Sequence, residues 1–256
     1  MATVISSGTS TVTSGVTLYY PTVKQSGRLV VSSGGVVSGA NIESGGMEIV
    51  SSGGVDLHTT ISSGGEMRIL AGGSVAGTFA SSGSVLVSGG FIRYASVGRG
   101  ASMVAWGAPG STGIVSSVSV ISSGNLVLNS GAVGSKIDVQ SGYAFVSSGG
   151  FLQDSIVSGA NSSSVAEIII DKGGWGHYNS VCANGVMGIR SGGSATATAI
   201  SSGGSVIVSN GGLLSGGSVY YVGWVTVHSG GTAVSTTVSS GGYMDVSQGL
   251  CINPIL

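Results

Sequence analysis

Apolar and polar residues alternate along this chain in short arms separated by Ser/Gly turns. The segment 42–60 reads IESGGMEIVSSGGVDLHTT and 61–79 reads ISSGGEMRILAGGSVAGTF; both are 19 residues long and open on Ile42 and Ile61. Later units open at Val181, Ile200, Val219 and Val238, again 19 apart. Each unit holds two turns eight residues apart, such as Gly45-Gly46 and Gly53-Gly54, or Gly203-Gly204 and Gly211-Gly212. Between the two turns the pattern has period two, which predicts a strand with one face inward. The inward pairs are Leu29/Val31, Met67/Ile69, Leu126/Leu128, Ala144/Val146, Met187/Ile189, Val206/Val208, Val225/Val227 and Met244/Val246. Residues 47–50 break the rule by pointing Glu48 inward, which reads as a local bulge or a misalignment.

Alignment on the turns gives thirteen rungs. Their equivalent positions are Thr9, Arg28, Met47, Glu66, Ser84, Ala101, Asn125, Tyr143, Glu167, Val186, Ser205, Trp224 and Tyr243. Most steps are 17–19 residues; two are 24, marking insertions at 108–112 (APGST) and 158–164 (SGANSSS). An eight-residue arm cannot bury its apolar face alone, but coils stacked at ~4.8 Å pair their backbones with the coils above and below. Glycine supplies the positive-φ corners, where Ser or Asn can bridge backbone groups. The expected fold is an all-β, right-handed parallel β-helix, a β-solenoid of about thirteen coils forming one domain over residues 1–256. On that spacing the rod is about 60 Å long, and no helix is expected.

Composition decides between order and disorder. There are 49 glycines, serine is about as frequent, and charged residues make up only 7%. Such a mixture suits a flexible linker, yet 41% of residues are hydrophobic and periodically placed, so the chain is ordered. The net charge of −1 and the lack of a basic run disfavour nucleic acid and anionic membranes as partners. No apolar stretch approaches the roughly 18 residues of a membrane span. Met1 to Val12 lack the basic and apolar regions of a signal peptide, which suggests a piece of a longer protein or a chain needing no export. Cys182 and Cys251 are three to four coils apart, on the order of 17 Å along the axis, too far for a disulfide. Two free thiols are expected.

Little catalytic chemistry is visible. Glu167 and Asp171 lie four apart in EIIID, readable as an acid/base pair or cation site, or as two solvated rim charges beside Lys172. Asp138 and Asp154 fall on nearby coils with nothing converging on them. His58, His177 and His228 lack metal-ligand spacing, and no nucleophile elbow or phosphate loop is present. No metal or cofactor is expected. Aromatic residues are more informative. Tyr143 and Phe145 fill outward slots of one rung, and Trp224 and Tyr243 should stack on adjacent rungs. Phe151 aligns with Trp175, followed by His177 and Tyr178, while Tyr19-Tyr20 and Tyr220-Tyr221 repeat the theme. Such ladders stabilise stacked coils; exposed, they also suit sugar rings or a protein partner. The insertion at 158–164 with Trp175, His177 and Tyr178 is the leading candidate contact region.

The recurrent unit [VI]-x-SGG-x-x-x-V-x-SGG-x-A-x-x-T-x-V resembles the AIDA-type repeat of autotransporter adhesins from Gram-negative bacteria. The clearest copies are 61–79, 200–212 and 228–242, and the likeness is weakest at 91–120 and 157–180. The resemblance implies a passenger displayed at the outer surface or secreted, mediating attachment to host cells, self-aggregation or biofilm growth. Its partners would be a host-cell surface glycan or protein, or another copy of itself. It also implies a glycosyltransferase as modifying partner, adding O-linked heptose to repeat serines such as Ser51, Ser62, Ser147, Ser201 and Ser239. The export signal and the membrane β-barrel of that family are not in this sequence. Two other readings compete: a self-assembling structural rod, and a polysaccharide-processing enzyme.

Overall fold

The computed structural model describes residues 3–161 and 164–256. Among them every regular element is a β-strand, and the strands form three parallel sheets in a solenoid of about thirteen turns. Each turn gives one strand to each sheet, always in the same order. In the second turn these are Thr22–Val23, Gly27–Val31 and Val36–Ser38. The three sheets are called the opening, long and closing sheets below.

Two compact units divide the chain, 1–126 and 127–256. In the first, the long sheet runs in register through Leu29, Glu48, Met67, Val85 and Met103. In the second it runs through Tyr143, Glu167, Val186, Ser205, Trp224 and Tyr243. The inward positions carry the core, and the expected pairs from Leu29/Val31 to Val225/Val227 are fully buried. Each such Val, Leu, Ile or Met contributes about 1.5–3 kcal/mol by leaving water. Met244/Val246 depart from the expectation, Met244 being half-exposed and Val246 exposed. They stand on the last strand of the long sheet, with a neighbouring strand on one side only.

The register corrects one alignment and one reading. Ser84 pairs with Ser102, so Ala101 is one residue early. It is instead a buried corner residue, standing where other corners have glycine. Glu48 sits on no bulge. It pairs in register with Leu29 and Met67 and is wholly buried inside the coil. Both cysteines are free, as expected, and burial followed by nearby Asp138 pushes the Cys182 thiol up.

The two glycines of an SGG corner serve different ends. The first, such as Gly211 at φ +83, takes a left-handed backbone; Asn184 and Val222 do the same elsewhere. The second, such as Gly212, has ordinary φ but lies so close to the coil before it that a Cβ would overlap the Ile189 carbonyl oxygen. Gly35, Gly54, Gly185, Gly204 and Gly231 repeat that approach against their own neighbours. Ala101 is tolerated beside a preceding corner, 81–83, that is one residue shorter.

A different rule governs the corner from closing back to opening sheet. Each coil places one left-handed residue there, and in the first unit these are Tyr20, Gly39, His58, Gly77, Tyr94 and Ser117. Rings alternate with small residues. Tyr20 lies over Gly39 and His58 over Gly77, so that a Cβ on either glycine would strike the ring.

Candidate functional site

The candidate aromatic residues at 151–178 do come together, on the closing sheet of the second unit. Strands Phe151–Gln153, Trp175–His177 and Ser194–Thr196 are adjacent, pairing Phe151 with Trp175, Gln153 with His177 and His177 with Thr196. Alternation turns Trp175 and His177 outward and Gly176 inward. The Phe151 and Trp175 rings are 4.9 Å apart, Trp175 and His177 5.9 Å, and His177 and Tyr178 3.9 Å. Nδ1 of His177 shares a 2.6 Å hydrogen bond with the Thr196 hydroxyl, which fixes the imidazole between the rings. Trp175 is 48% exposed and Tyr178 61%.

The ground under this cluster is rigid. Asn179 is wholly buried; its side chain accepts the Ser155 N–H at 3.1 Å and donates to the Leu152 carbonyl at 3.3 Å. The Ser155 hydroxyl in turn accepts the Ile137 N–H and donates to the Gln153 carbonyl. A side chain at Gly176 would collide with Asn179, so the glycine makes room for this network. The cluster is therefore a preset platform of three rings and an imidazole, chemically suited to the face of a sugar or an aromatic side chain.

The insertion at 158–164 leaves from a different place. It lies between the opening strand Ile156–Ser158 and the long strand Ala166–Ile170, whereas Trp175 stands on the closing sheet. Ser162 and Ser163 lie outside the described residues. Asn161 and Ser164 close the ends of the loop through a backbone and a side-chain hydrogen bond, both 3.1 Å. Trp224 and Tyr243 pair in register on the outer face of the long sheet and stack at 4.5 Å and 16°. Tyr143 and Phe145 stack at 5.8 Å on one strand of that sheet. Tyr20 follows the closing strand Thr17–Tyr19 in the first unit, and Tyr220-Tyr221 follow the opening strand Ser218–Val219 in the second.

Glu167 and Asp171 are tied to Arg190 on the next coil. Asp171 lies 3.9 Å from its Nε, and burial raises the Glu167 pKa while Arg190 opposes that. His58 is a corner ring over Gly77, and His228 is exposed at a corner. No group of three His, Cys, Asp or Glu among the described residues is arranged to hold a metal. The candidate acceptor serines open the corners. Ser51, Ser62, Ser147 and Ser201 are half-buried, each accepting with its carbonyl the N–H of the residue three further on, and Ser239 is exposed. The serine after each, Ser52, Ser63, Ser148, Ser202 and Ser240, is exposed throughout.

One constellation escaped the sequence reading. Glu48 and Asp56 face the interior of the same coil and are both fully buried. Neither Glu48 oxygen has a hydrogen-bond partner in the protein; Asp56 accepts from the Thr59 hydroxyl at 2.7 Å and from the Leu57 backbone, and its other oxygen has no partner. Burial first, then the Asp56 charge, holds the Glu48 pKa well above 4.5; burial raises Asp56 to about 7. The signal was present as an acid in an inward slot at Glu48, and again at Asp56 inside VDL.

No family model matches the sequence, and no curated protein matches it. Among solved structures, the chain is similar to the TibA55-350 fragment, crystallised in a hyper-glycosylated form whose modification is catalysed by TibC. The TM-score is 0.92 at 30% identity, over 99% of this chain and 92% of that one.

Proposed function

Because the chain belongs to the AIDA-type repeat passengers of Gram-negative autotransporter adhesins, we propose that it holds bacteria to a host-surface glycan or protein, or to one another. In this reading it is displayed at the outer surface or secreted, and it carries out no catalytic step. The observation that carries the proposal is the platform of Phe151, Trp175, His177 and Tyr178, with Trp175 and Tyr178 exposed over the buried Asn179–Ser155 network. Coils repeated at ~4.8 Å add weak contacts through avidity. A Trp175→Ala, Tyr178→Ala double variant displayed on cells is expected to reduce attachment or aggregation several-fold while its melting temperature stays unchanged. Unaltered attachment would overturn the role given to these rings. Turnover of a polysaccharide by the purified protein would overturn the non-catalytic reading.

A second property is supported by the hyper-glycosylation of the TibA fragment. The candidate serines of this chain each open an SSGG turn, Ser51 and Ser147 after a long strand and Ser62, Ser201 and Ser239 after an opening strand, which suits a transferase that reads one turn shape. Protein from its native host is expected to show intact-mass increments of heptose, mapping to Ser51, Ser62, Ser147, Ser201, Ser239 and their exposed serine neighbours. An unmodified mass counts against it.

A further inference from the structure

We propose that the first unit carries a separate binding groove for a carboxylate-bearing saccharide, beside Phe91 and Arg93. Strands Ser74–Ala76, Phe91–Arg93 and Gly113–Ser116 are adjacent in the closing sheet, aligning Ser74, Phe91 and Ile114 on its outer face. The insertion at 108–112 is a built wall along this face. Ala108 and Ser111 exchange backbone hydrogen bonds of 2.8 and 2.9 Å, and the Ser111 hydroxyl donates to the Gly89 carbonyl. Gly89, at φ +69, sits so close beneath that a Cβ would press on the Ala108 and Ser111 side chains. Between wall and sheet lies a groove of about 500 Å³, floored by glycine backbone and edged by Phe91, Ile114, Ser111 and Thr112.

Charge selects the ligand. Arg93 stands beyond the groove's own lining, two residues from Phe91 on the same face, its guanidinium 5.9 Å from the Phe91 ring centre and 5.5 Å from that of Tyr94. The rings hold the planar cation in place, yet none of the ion pairs among the described residues includes it. No Asp or Glu occurs between Glu66 and Asp138 in the sequence. A fixed, unpaired arginine is a fork for a carboxylate. Hydroxyls, glycine backbone and an aromatic edge suit a pyranose ring. A polyanion such as nucleic acid would need many cations. An added peptide strand would need a free sheet edge, whereas the Phe91–Arg93 strand is paired on both sides.

The inference takes its biological setting from the adhesin reading, but its test does not. Immobilised sialyllactose, a galacturonic acid trimer and neutral lactose are probed with the whole protein by surface plasmon resonance. One or both acidic probes are expected to bind at least tenfold more tightly than lactose, the better one identifying the acid's source. Arg93→Gln is expected to remove that tenfold difference with melting unchanged, and Arg93→Lys to restore part of it. Equal binding of lactose, acid binding that survives Arg93→Gln, or no binding at millimolar concentration would each overturn the groove assignment. Because Trp175 and Tyr178 are left untouched, such a failure with attachment intact leaves the adhesin proposal standing.

Discussion

A Glu48→Leu, Asp56→Val double variant is expected to be more stable than the natural protein at about pH 8, by a margin that shrinks as the pH falls toward about 4. The buried carboxyls have raised pKa values, so the folded protein binds more protons than the unfolded chain between the two sets of values. Stability is then fully present in acid and lost as pH rises through about 7 for Asp56, the reverse of the usual carboxylate behaviour. Every tenfold gain in proton affinity on folding corresponds to about 1.4 kcal/mol, which makes the effect on the order of several kcal/mol. The replacements match their surroundings, since Glu48 lies between Leu29 and Met67, and Asp56 between Val37 and Val75. The Thr59 hydroxyl loses its acceptor, but Thr78, Thr198 and Thr236 already stand buried without one at equivalent corners. Thermal unfolding followed across pH for both proteins reads the difference. Parallel pH profiles would remove the pair as its source. Replacing a buried charged pair by packed apolar side chains often stabilises.

Gly212→Ala is expected to cost about 3 kcal/mol or more, and Gly211→Asn about 1 kcal/mol or less. The adjacent glycines look interchangeable in sequence. Gly211 needs only a left-handed backbone, which Asn210 beside it also adopts. A Cβ on Gly212 would overlap the Ile189 carbonyl oxygen, which accepts the Ser209 N–H in the coil-to-coil ladder, so relief requires two coils to part. Denaturation curves of the two variants would separate the cases, and equal losses would show that the close approach can relax.

The fold was legible because its period is written twice, once as 19-residue steps and once as alternation within each arm. The misleading residues satisfy one code while breaking the other. Ala101 stands in for a corner glycine, so alignment on the turns slipped by one. Glu48 keeps the register but has the wrong polarity for an interior slot, and a polarity rule treats that as an error in register. In VDL the apolar residues Val55 and Leu57 face outward and Asp56 inward, which inverts the pattern altogether. The Phe151–Trp175 alignment was readable because corners set the register across the longer step. Placing the insertion at 158–164 on another corner from Trp175 needed the strand order. The groove beside Phe91 was invisible because its lining residues, from 72–74, 89–91 and 110–114, converge only when three coils are stacked.

The alternation of rings and small residues at the closing corner makes the first unit, along that edge, a two-coil repeat. Removing residues 39–57 would bring Tyr20 against His58, ring upon ring, whereas removing 39–76 would set Tyr20 over Gly77 as it now lies over Gly39. For this edge the natural quantum of lengthening or shortening is a pair of coils, which restricts how such a passenger can change size by gain or loss of repeats.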